Sequence, residues 1–230
     1  MSDERIDGLE PLSPEFFMDD AEIVARKLIG TFLILDYGIG PPAGGRIVET
    51  EAYDEQDAAS YCFRGEGYEP LDRSEPMRCP GGYAYVYADS CLNFVCREQG
   101  YGSAVLIRAL QPIWGISAMQ IRNVPYDERA AAEHERLCSG PMWLGGALGV
   151  TSKLNRRCLF ERPFKLYQRN SVPKLVCSPR IRVREFMNKN RPGLSPEIID
   201  QAAQKPWRYA DRGSMKFVSE QASYPWSPVL

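Results

Sequence analysis

The chain of 230 residues has little histidine and no close pair of cysteines. Because His134 is its only histidine, a zinc or iron site would lack the imidazole ligands that such sites usually have. The seven cysteines include no C-x-x-C pair, and their odd number suits a reducing compartment better than a disulfide framework. We therefore predict a protein that binds no metal and uses no cofactor.

Long apolar runs and nucleotide-binding loops are also missing. No apolar run approaches the length needed to cross a bilayer, and "MSDERIDGLEPLSP" is acidic where a secretory signal would be basic and then apolar. There is no Walker loop, no G-x-S-x-G elbow, and no G-x-G-x-x-G segment that opens a helix after a strand. We expect a cytoplasmic protein without a membrane partner.

The charged residues are unevenly distributed. A net charge of −2 argues against a strongly basic nucleic-acid binder. Acids concentrate in residues 1–20 and 49–75, whereas residues 153–191 carry twelve Lys or Arg against two acids, Glu161 and Glu185. This basic segment could attract polyanions, or it could be a solvated surface that balances the acidic half. Charge alone leaves both interpretations open.

Apolar periodicity and turn residues predict the secondary structure. Ser13 and Pro14, followed by apolar spacing up to Gly30, indicate one amphipathic helix. Further helices are predicted around 114–123, over 126–137, from residue 139 onward and in 195–203. Strands are predicted in 31–37, 46–53, 83–87, 91–96, 104–110, 162–170 and 179–186.

The connections between several of these strands are too short for crossover helices, which favours antiparallel pairing. No internal repeat, long linker or low-complexity tract divides the chain. We therefore predict one α+β domain over residues 1–230, with a curved, largely antiparallel sheet flanked by helices.

The strand at 46–53, "RIVETEAY", combines acids with an aromatic residue. Alternation predicts that four side chains share one face: Ile47, Glu49, Glu51 and Tyr53. A partly buried carboxylate beside an aromatic ring could activate water. The alternative is a structural acid paired with an arginine such as Arg108. Spacing alone favours the structural pair, because such pairs outnumber catalytic bases.

The next strands carry aromatic and polar side chains. Tyr83, Tyr85 and Tyr87 share a face, which is typical of a sheet core but also suits a stacking wall for an extruded base. Asn93 and Arg108 interrupt apolar strands. A buried polar group destabilises a protein unless it is paired. Each of the two residues therefore indicates either a pocket that it lines or a hydrogen-bonded or salt-bridged group in the core.

The chain as a whole resembles the alkyladenine (3-methyladenine) DNA glycosylases, a family that excises alkylated purines. The resemblance rests on short segments that occur in the family's order and together cover most of residues 10–220. They are "RIVETEAY", "D-x-A-S" before "FRG", "PGGYAYVY", "CLNFVC", "VLIRALQP", "LCSGP" with "LGGALGVTSKLN", "SPRIRVRE", and "KPWRY" before "RGSMKFVS".

The resemblance implies a monofunctional hydrolysis. Glu51 would be the general base that deprotonates a water molecule, and Arg108 would help to place that water and the sugar-phosphate. The water attacks the anomeric carbon of an extruded nucleotide, the electron-poor purine leaves, and an abasic site remains.

The resemblance also implies the residues that hold base and DNA. Tyr53 and Tyr87 would be the stacking walls of the base pocket, and Asn93 would exclude normal guanine by crowding its exocyclic amine. Tyr61 occupies a further base-binding position. We also expect DNA contacts from three basic residues, Arg64, Arg73 and Lys153. The expected partner is DNA that contains damaged purines, bound by a monomer.

Two segments depart from the family pattern. After "D-x-A-S" relatives usually carry histidine, whereas this chain has Tyr61, whose phenol cannot reproduce the imidazole contacts. Relatives also have a longer hairpin before "CLN", and a tyrosine at its tip replaces the flipped nucleotide in the duplex. Here only Ala88–Ser90 connect Tyr87 to Cys91, which is too short to present that side chain. We therefore expect action on single-stranded, bulged or distorted DNA, or weak binding of duplex lesions.

Three functions remain open at this point. A DNA glycosylase is favoured, because base, stacking pair, asparagine and arginine occur together. A catalytically silent homologue that binds lesions or nucleic acid is the second. The third is a hydrolase of free modified nucleosides, which the acidic balance and the short hairpin suggest.

Overall fold

The computed structural model describes residues 8–65, 67–125, 127–219 and 225–229. Its α-helices are α1 Ala21–Leu28, α2 Ile116–Asn123, α3 Glu128–Ala132, α4 Pro141–Leu148, α5 Val183–Asn190 and α6 Pro196–Gln204. Short three-ten helices lie at Pro14–Phe17, Asp72–Arg78, Ser152–Leu154 and Arg212–Phe217. Within these ranges, none of the helices has the length and apolar character that spanning a membrane requires.

The strands are β1 Phe32–Leu35, β2 Ala43–Asp54, β3 Ala84–Tyr87, β4 Cys91–Val95, β5 Ser103–Trp114, β6 Phe164–Tyr167, β7 Leu175–Ser178, β8 Arg208–Asp211 and β9 Ser227–Pro228. They form an open antiparallel sheet in the order β3-β4-β5-β2-β8-β7-β9, and β1 pairs with both β2 and β6. The predicted α+β class with a largely antiparallel sheet is confirmed.

Strand β2 is the centre of this sheet. Along one edge it pairs first with β1 and then, over residues 49–51, with β8, while β5 pairs along its other edge. The neighbouring backbones come very close at its start, where a Cβ on Gly45 would lie 2.0 Å from the carbonyl oxygen of Gln111. Glycine is therefore required there for close packing.

The main apolar core lies between the sheet and helices α1, α2 and α4, and includes Leu28, Met119 and Leu144. A smaller cluster joins α5 and α6 to the segment that follows β2, through Val183, Met187, Ala202 and other residues. This second cluster holds α5 beside the last residues of β2.

The prediction of one helix up to Gly30 is wrong. The three-ten turn Pro14–Phe17 ends before α1 begins at Ala21, because Asp20 has an extended ψ of 145° that interrupts the helical backbone. The helix predicted over 126–137 exists as the shorter α3, and residue 126 lies outside the described residues.

The strand predicted over 179–186 is also wrong. The backbone turns at Arg182, which has a left-handed φ of 56°, and α5 follows. The alternation of Ile181 and Val183 suggested a strand, but burial of Val183 and Met187, four residues apart, is a helical pattern. Strands β7, β8 and β9 were not predicted. They are short, and β8 is stabilised chiefly by its neighbours β2 and β7.

Three of the four residues predicted to share one face of β2 do so, namely Glu49, Glu51 and Tyr53. The β2–β5 pairing shifts register between Ile47 and Glu49, as a β-bulge does, and the extra residue reverses the alternation. Ile47 consequently packs in the main core together with Ala52, whereas Glu49 and Glu51 both bind Arg108. The bulge separates the apolar start of β2 from its acidic end.

Replacement of Gly45 should destabilise the fold. In Gly45→Ala the new methyl group would collide with main-chain atoms of Gln111, which cannot rotate away as a side chain could. We expect the free energy of unfolding to fall by about 3 kcal/mol, as in severe overpacking. Urea unfolding followed by circular dichroism measures this. In the control Gly213→Ala the nearest atom lies at 3.4 Å, on the Asp211 side chain. Equal midpoints for both variants would contradict the close approach.

Candidate active site

A cavity of about 690 Å³ lies beside the last residues of β2, between the sheet and α5. This volume is typical of sites for small ligands. Its lining includes all six residues that the sequence assigned to catalysis or base binding: Glu51, Tyr53, Tyr61, Tyr87, Asn93 and Arg108. Strands β2, β3, β4 and β5, the loop that carries Tyr61, the three-ten helix Asp72–Arg78 and α5 thus bring residues far apart in the chain to one concave surface.

Glu51 is fully buried in the wall of this cavity. Its Oε1 accepts a hydrogen bond of 2.7 Å from the backbone N–H of Ile181. Its Oε2 accepts one of 2.9 Å from the Tyr53 hydroxyl and one of 3.2 Å from Nη1 of Arg108. These donors fix the carboxylate plane. Among the described residues Oε1 has one donor and Oε2 has two, so Oε1 retains more acceptor capacity.

Arg108 joins Glu51 to a second buried carboxylate, that of Glu49. Its Nε donates to Oε1 of Glu49 at 3.0 Å, and Arg208 of β8 donates to the same oxygen at 2.7 Å. The N–H of Ser219 donates to the other oxygen at 2.8 Å. Burial disfavours a charged guanidinium, but the attraction of Glu51 and Glu49 outweighs it and holds the pKa of Arg108 above its ordinary value. Two carboxylates therefore balance two arginines.

A second buried ion pair orients Tyr53. Arg180 pairs with Asp57, neither side chain has exposed area, and Arg180 also donates to the carbonyl oxygen of Ala52 at 2.8 Å. Its guanidinium lies 4.8 Å from the centre of the Tyr53 ring. Burial, and next the negative charge of Glu51, hold the pKa of Tyr53 well above its ordinary value. Tyr53 therefore remains a neutral hydrogen-bond donor to Glu51.

Tyr61 packs in a row of aromatic rings whose planes are tilted against one another by 43° and 49°. Its ring centre lies 4.8 Å from that of Tyr87 on one side and 4.8 Å from that of Phe186 on the other. Burial and a hydrogen bond with Tyr87 raise the pKa of Tyr61 far above its ordinary value. Tyr61 thus forms a neutral wall of the cavity together with Tyr87, and Phe186 extends this wall onto α5.

Two further polar side chains border the cavity. The amide nitrogen of Asn93 donates to the carbonyl oxygens of Cys91 at 2.9 Å and Tyr85 at 3.2 Å, which fixes its orientation. The hydroxyl of Tyr85 is buried and, among the described residues, has no hydrogen-bond partner. An unpaired buried hydroxyl in a cavity wall is destabilising, and a polar ligand could pair with it.

The hairpin between β3 and β4 is as short as the sequence predicts. Ala88 and Asp89 have left-handed φ values of 48° and 61°, and the N–H of Ser90 donates to the carbonyl oxygen of Tyr87 at 3.3 Å. Such a turn reverses the chain within three residues. It places no large side chain beyond Tyr87.

The three basic residues expected to contact DNA occupy different places. Arg73 is exposed, lines the cavity, and has its guanidinium 5.9 Å from the Tyr87 ring centre. Arg64 and Lys153 are exposed outside the cavity lining. Their contacts with DNA remain predictions.

The basic segment 153–191 is partly neutralised. Five of its residues pair with acids in the described part of the chain: Arg156, Arg162, Lys165, Arg180 and Arg184. Arg191 is buried and donates to the carbonyl oxygens of Glu69 and Ser60. Much of the segment therefore balances local acids, while Arg182 and Lys189 line the cavity.

Residues 15–215 match the model of the family described as methylpurine-DNA glycosylase (MPG). The chain belongs to this family. A protein of Rhodopseudomonas palustris (strain BisB18) named "Putative 3-methyladenine DNA glycosylase" is 41% identical over 228 residues, which covers 96% of this chain and 98% of the relative. Proteins with the same name from Nitrosospira multiformis and Rhizobium meliloti are 39% and 37% identical, over 83% and 90% of this chain and 85% and 95% of their own lengths. The predicted family resemblance is confirmed.

The residues that support the site were not identified from sequence. They are Asp57, Arg180, Arg208, Ser219 and the N–H of Ile181. Asp57, Arg180 and Arg208 stand in the segments "D-x-A-S", "SPRIRVRE" and "KPWRY" that carry the resemblance. The available signal was the presence of charged residues within these segments. It marked the residues as required but did not indicate what each of them does.

Loss of the Asp57 charge should destabilise the protein strongly. Asp57→Asn leaves Arg180 buried without a counter-ion, which costs about 3–5 kcal/mol when one member of a buried pair is removed. Urea unfolding gives the change in free energy. The matched control is Asp200→Asn, which removes an Asp–Arg pair with both side chains half exposed and should have little effect. Equal effects at the two positions would contradict the structural role of Asp57.

Proposed function

We propose that the protein is a DNA repair glycosylase that hydrolyses the N-glycosidic bond of alkylated or deaminated purines and leaves an abasic site. The observation that carries this proposal is the oriented carboxylate of Glu51 in the wall of a cavity that also contains Tyr53 and Tyr87. Membership in the methylpurine-DNA glycosylase family supports it.

The geometry of Glu51 suits the activation of water. Oε1 can accept a proton from a water molecule bound beside it, while the donors from Ile181 and Tyr53 keep the carboxylate in place. The water then attacks the anomeric carbon as the glycosidic bond breaks. The negative carboxylate also stabilises the positive charge that develops on the sugar in an oxocarbenium-like transition state.

The cavity offers both stacking and polar contacts to a purine. We propose that the damaged base lies against Tyr87 with Tyr53 as the opposite wall, and that Asn93 limits which exocyclic groups fit. The buried hydroxyl of Tyr85 can donate a hydrogen bond to a ring nitrogen or a carbonyl oxygen of the base. An alkylated purine is electron-poor and leaves readily. Because its glycosidic bond is already weakened, its departure needs less stabilisation of the leaving group by the protein.

The tight hairpin favours DNA that is already unpaired. Unstacking a nucleotide from a duplex costs a few kcal/mol, and enzymes that do so often insert a side chain into the gap. The turn at Ala88–Ser90 presents no such side chain. We therefore propose single-stranded, bulged or distorted DNA as the preferred form of the substrate.

Removal of the charge at Glu51 should slow turnover strongly. Glu51→Gln keeps the size of the side chain but cannot accept the proton of water, so excision should slow by about 100-fold or more. Alkaline cleavage of a hypoxanthine-containing oligonucleotide measures the abasic sites. Oligonucleotide binding should persist. Glu55→Gln, four residues along and outside the cavity, is the control and should retain activity. A Glu51→Gln variant as active as the wild type would exclude Glu51 as the base.

The rate of base release should depend on whether the DNA around the lesion is paired. Release of hypoxanthine and 3-methyladenine from single-stranded or mismatched oligonucleotides should be faster than from the same sequence in a perfect duplex. Single-turnover gel assays on matched substrates compare these rates. Faster excision from the perfect duplex would refute the proposed preference.

A further inference from the structure

We propose that helix α5 forms the binding surface for the single-stranded DNA that flanks the extruded nucleotide. In this arrangement Phe186 stacks on the neighbouring base and Lys189 binds a phosphate. The inference rests on the proposed function, and it assigns to α5 a role in holding unpaired DNA next to the cavity.

The first observation is a row of three aromatic rings in the cavity lining, which ends on α5. Tyr87, Tyr61 and Phe186 follow one another with ring centres 4.8 Å apart at each step. Phe186 stands at the end of the row and is only partly buried. Successive bases of a single strand stack on such rings without regard to sequence, because each base has an aromatic face.

The second observation is the charge around the cavity mouth. Three of the exposed residues in the cavity lining are cationic, namely Arg73, Arg182 and Lys189, and Glu185 is acidic. Arg73 belongs to the three-ten helix Asp72–Arg78. Lys189 belongs to α5, the helix that carries Phe186. Cations beside accessible aromatic rings are the combination by which proteins bind single strands.

The third observation is that this surface is held in place. Val183 and Met187 anchor α5 in a buried apolar cluster. Arg191, directly after α5, donates to the carbonyl oxygens of Ser60 at 3.0 Å and Tyr61 at 3.4 Å. The helix and the Tyr61 loop are thus tied together, so the row of rings exists before DNA binds and little ordering is needed on binding.

Fluorescence anisotropy with a single-stranded oligonucleotide that carries a stable abasic-site analogue tests the proposal without turnover. Phe186→Leu keeps apolar volume but removes the aromatic face, and we expect its Kd to rise about ten-fold. Phe186→Tyr should restore binding. A merely structural role would instead be satisfied by leucine, and thermal unfolding of each variant checks that folding is retained.

The salt dependence of binding tests Lys189. Lys189→Ala should reduce the slope of log K against log salt concentration by about 0.7, the value for one phosphate contact on a single strand. Arg184→Ala, on the same helix but paired with Asp200 and outside the cavity lining, should leave the slope unchanged. Wild-type binding by both Phe186→Leu and Lys189→Ala would overturn the proposal. Failure of the wild type to release any damaged base would instead refute the glycosylase function and leave the binding result standing.

Discussion

Charge balance in the middle of the sheet is the constraint on which the rest of the structure depends. Strand β2 buries two carboxylates, Glu49 and Glu51, within three residues, and buried charges are tolerated only when they are paired. Arg108 from β5 and Arg208 from β8 supply the counter-charges from the strands on either side. The pairing of β2 with both neighbours is therefore held by ion pairs as well as by main-chain hydrogen bonds.

This network makes the structural and the catalytic interpretations of Glu51 compatible. The ion pair with Arg108 orients the carboxylate, and Glu51 belongs to the lining of the cavity. Tyr53 belongs to both arrangements, because its hydroxyl binds Glu51 and its ring packs on Arg180. An acid that the fold requires for stability is thereby placed where the proposed chemistry requires a base.

The two sides of the cavity differ in the side chains that they present. On the side of the sheet, the tight turn after Tyr87 presents no side chain that could fill a gap in a duplex. On the other side, α5 extends the aromatic wall from Tyr61 to Phe186 and adds cations. The side of the sheet therefore ends in a tight turn, whereas α5 contributes an aromatic ring and cations.

The sequence by itself determined the antiparallel sheet and the family, because alternation and ordered segments are local signals. It also named six residues that line one cavity, and their roles remain predictions. It could not predict the bulge that removes Ile47 from the acidic face, nor the turn at Arg182 that makes α5 a helix, since both depend on what packs against them. Only the tertiary structure decided which arginine neutralises which acid. Arg208 lies 159 residues from Glu49 in the chain, and folding alone brings them to 2.7 Å.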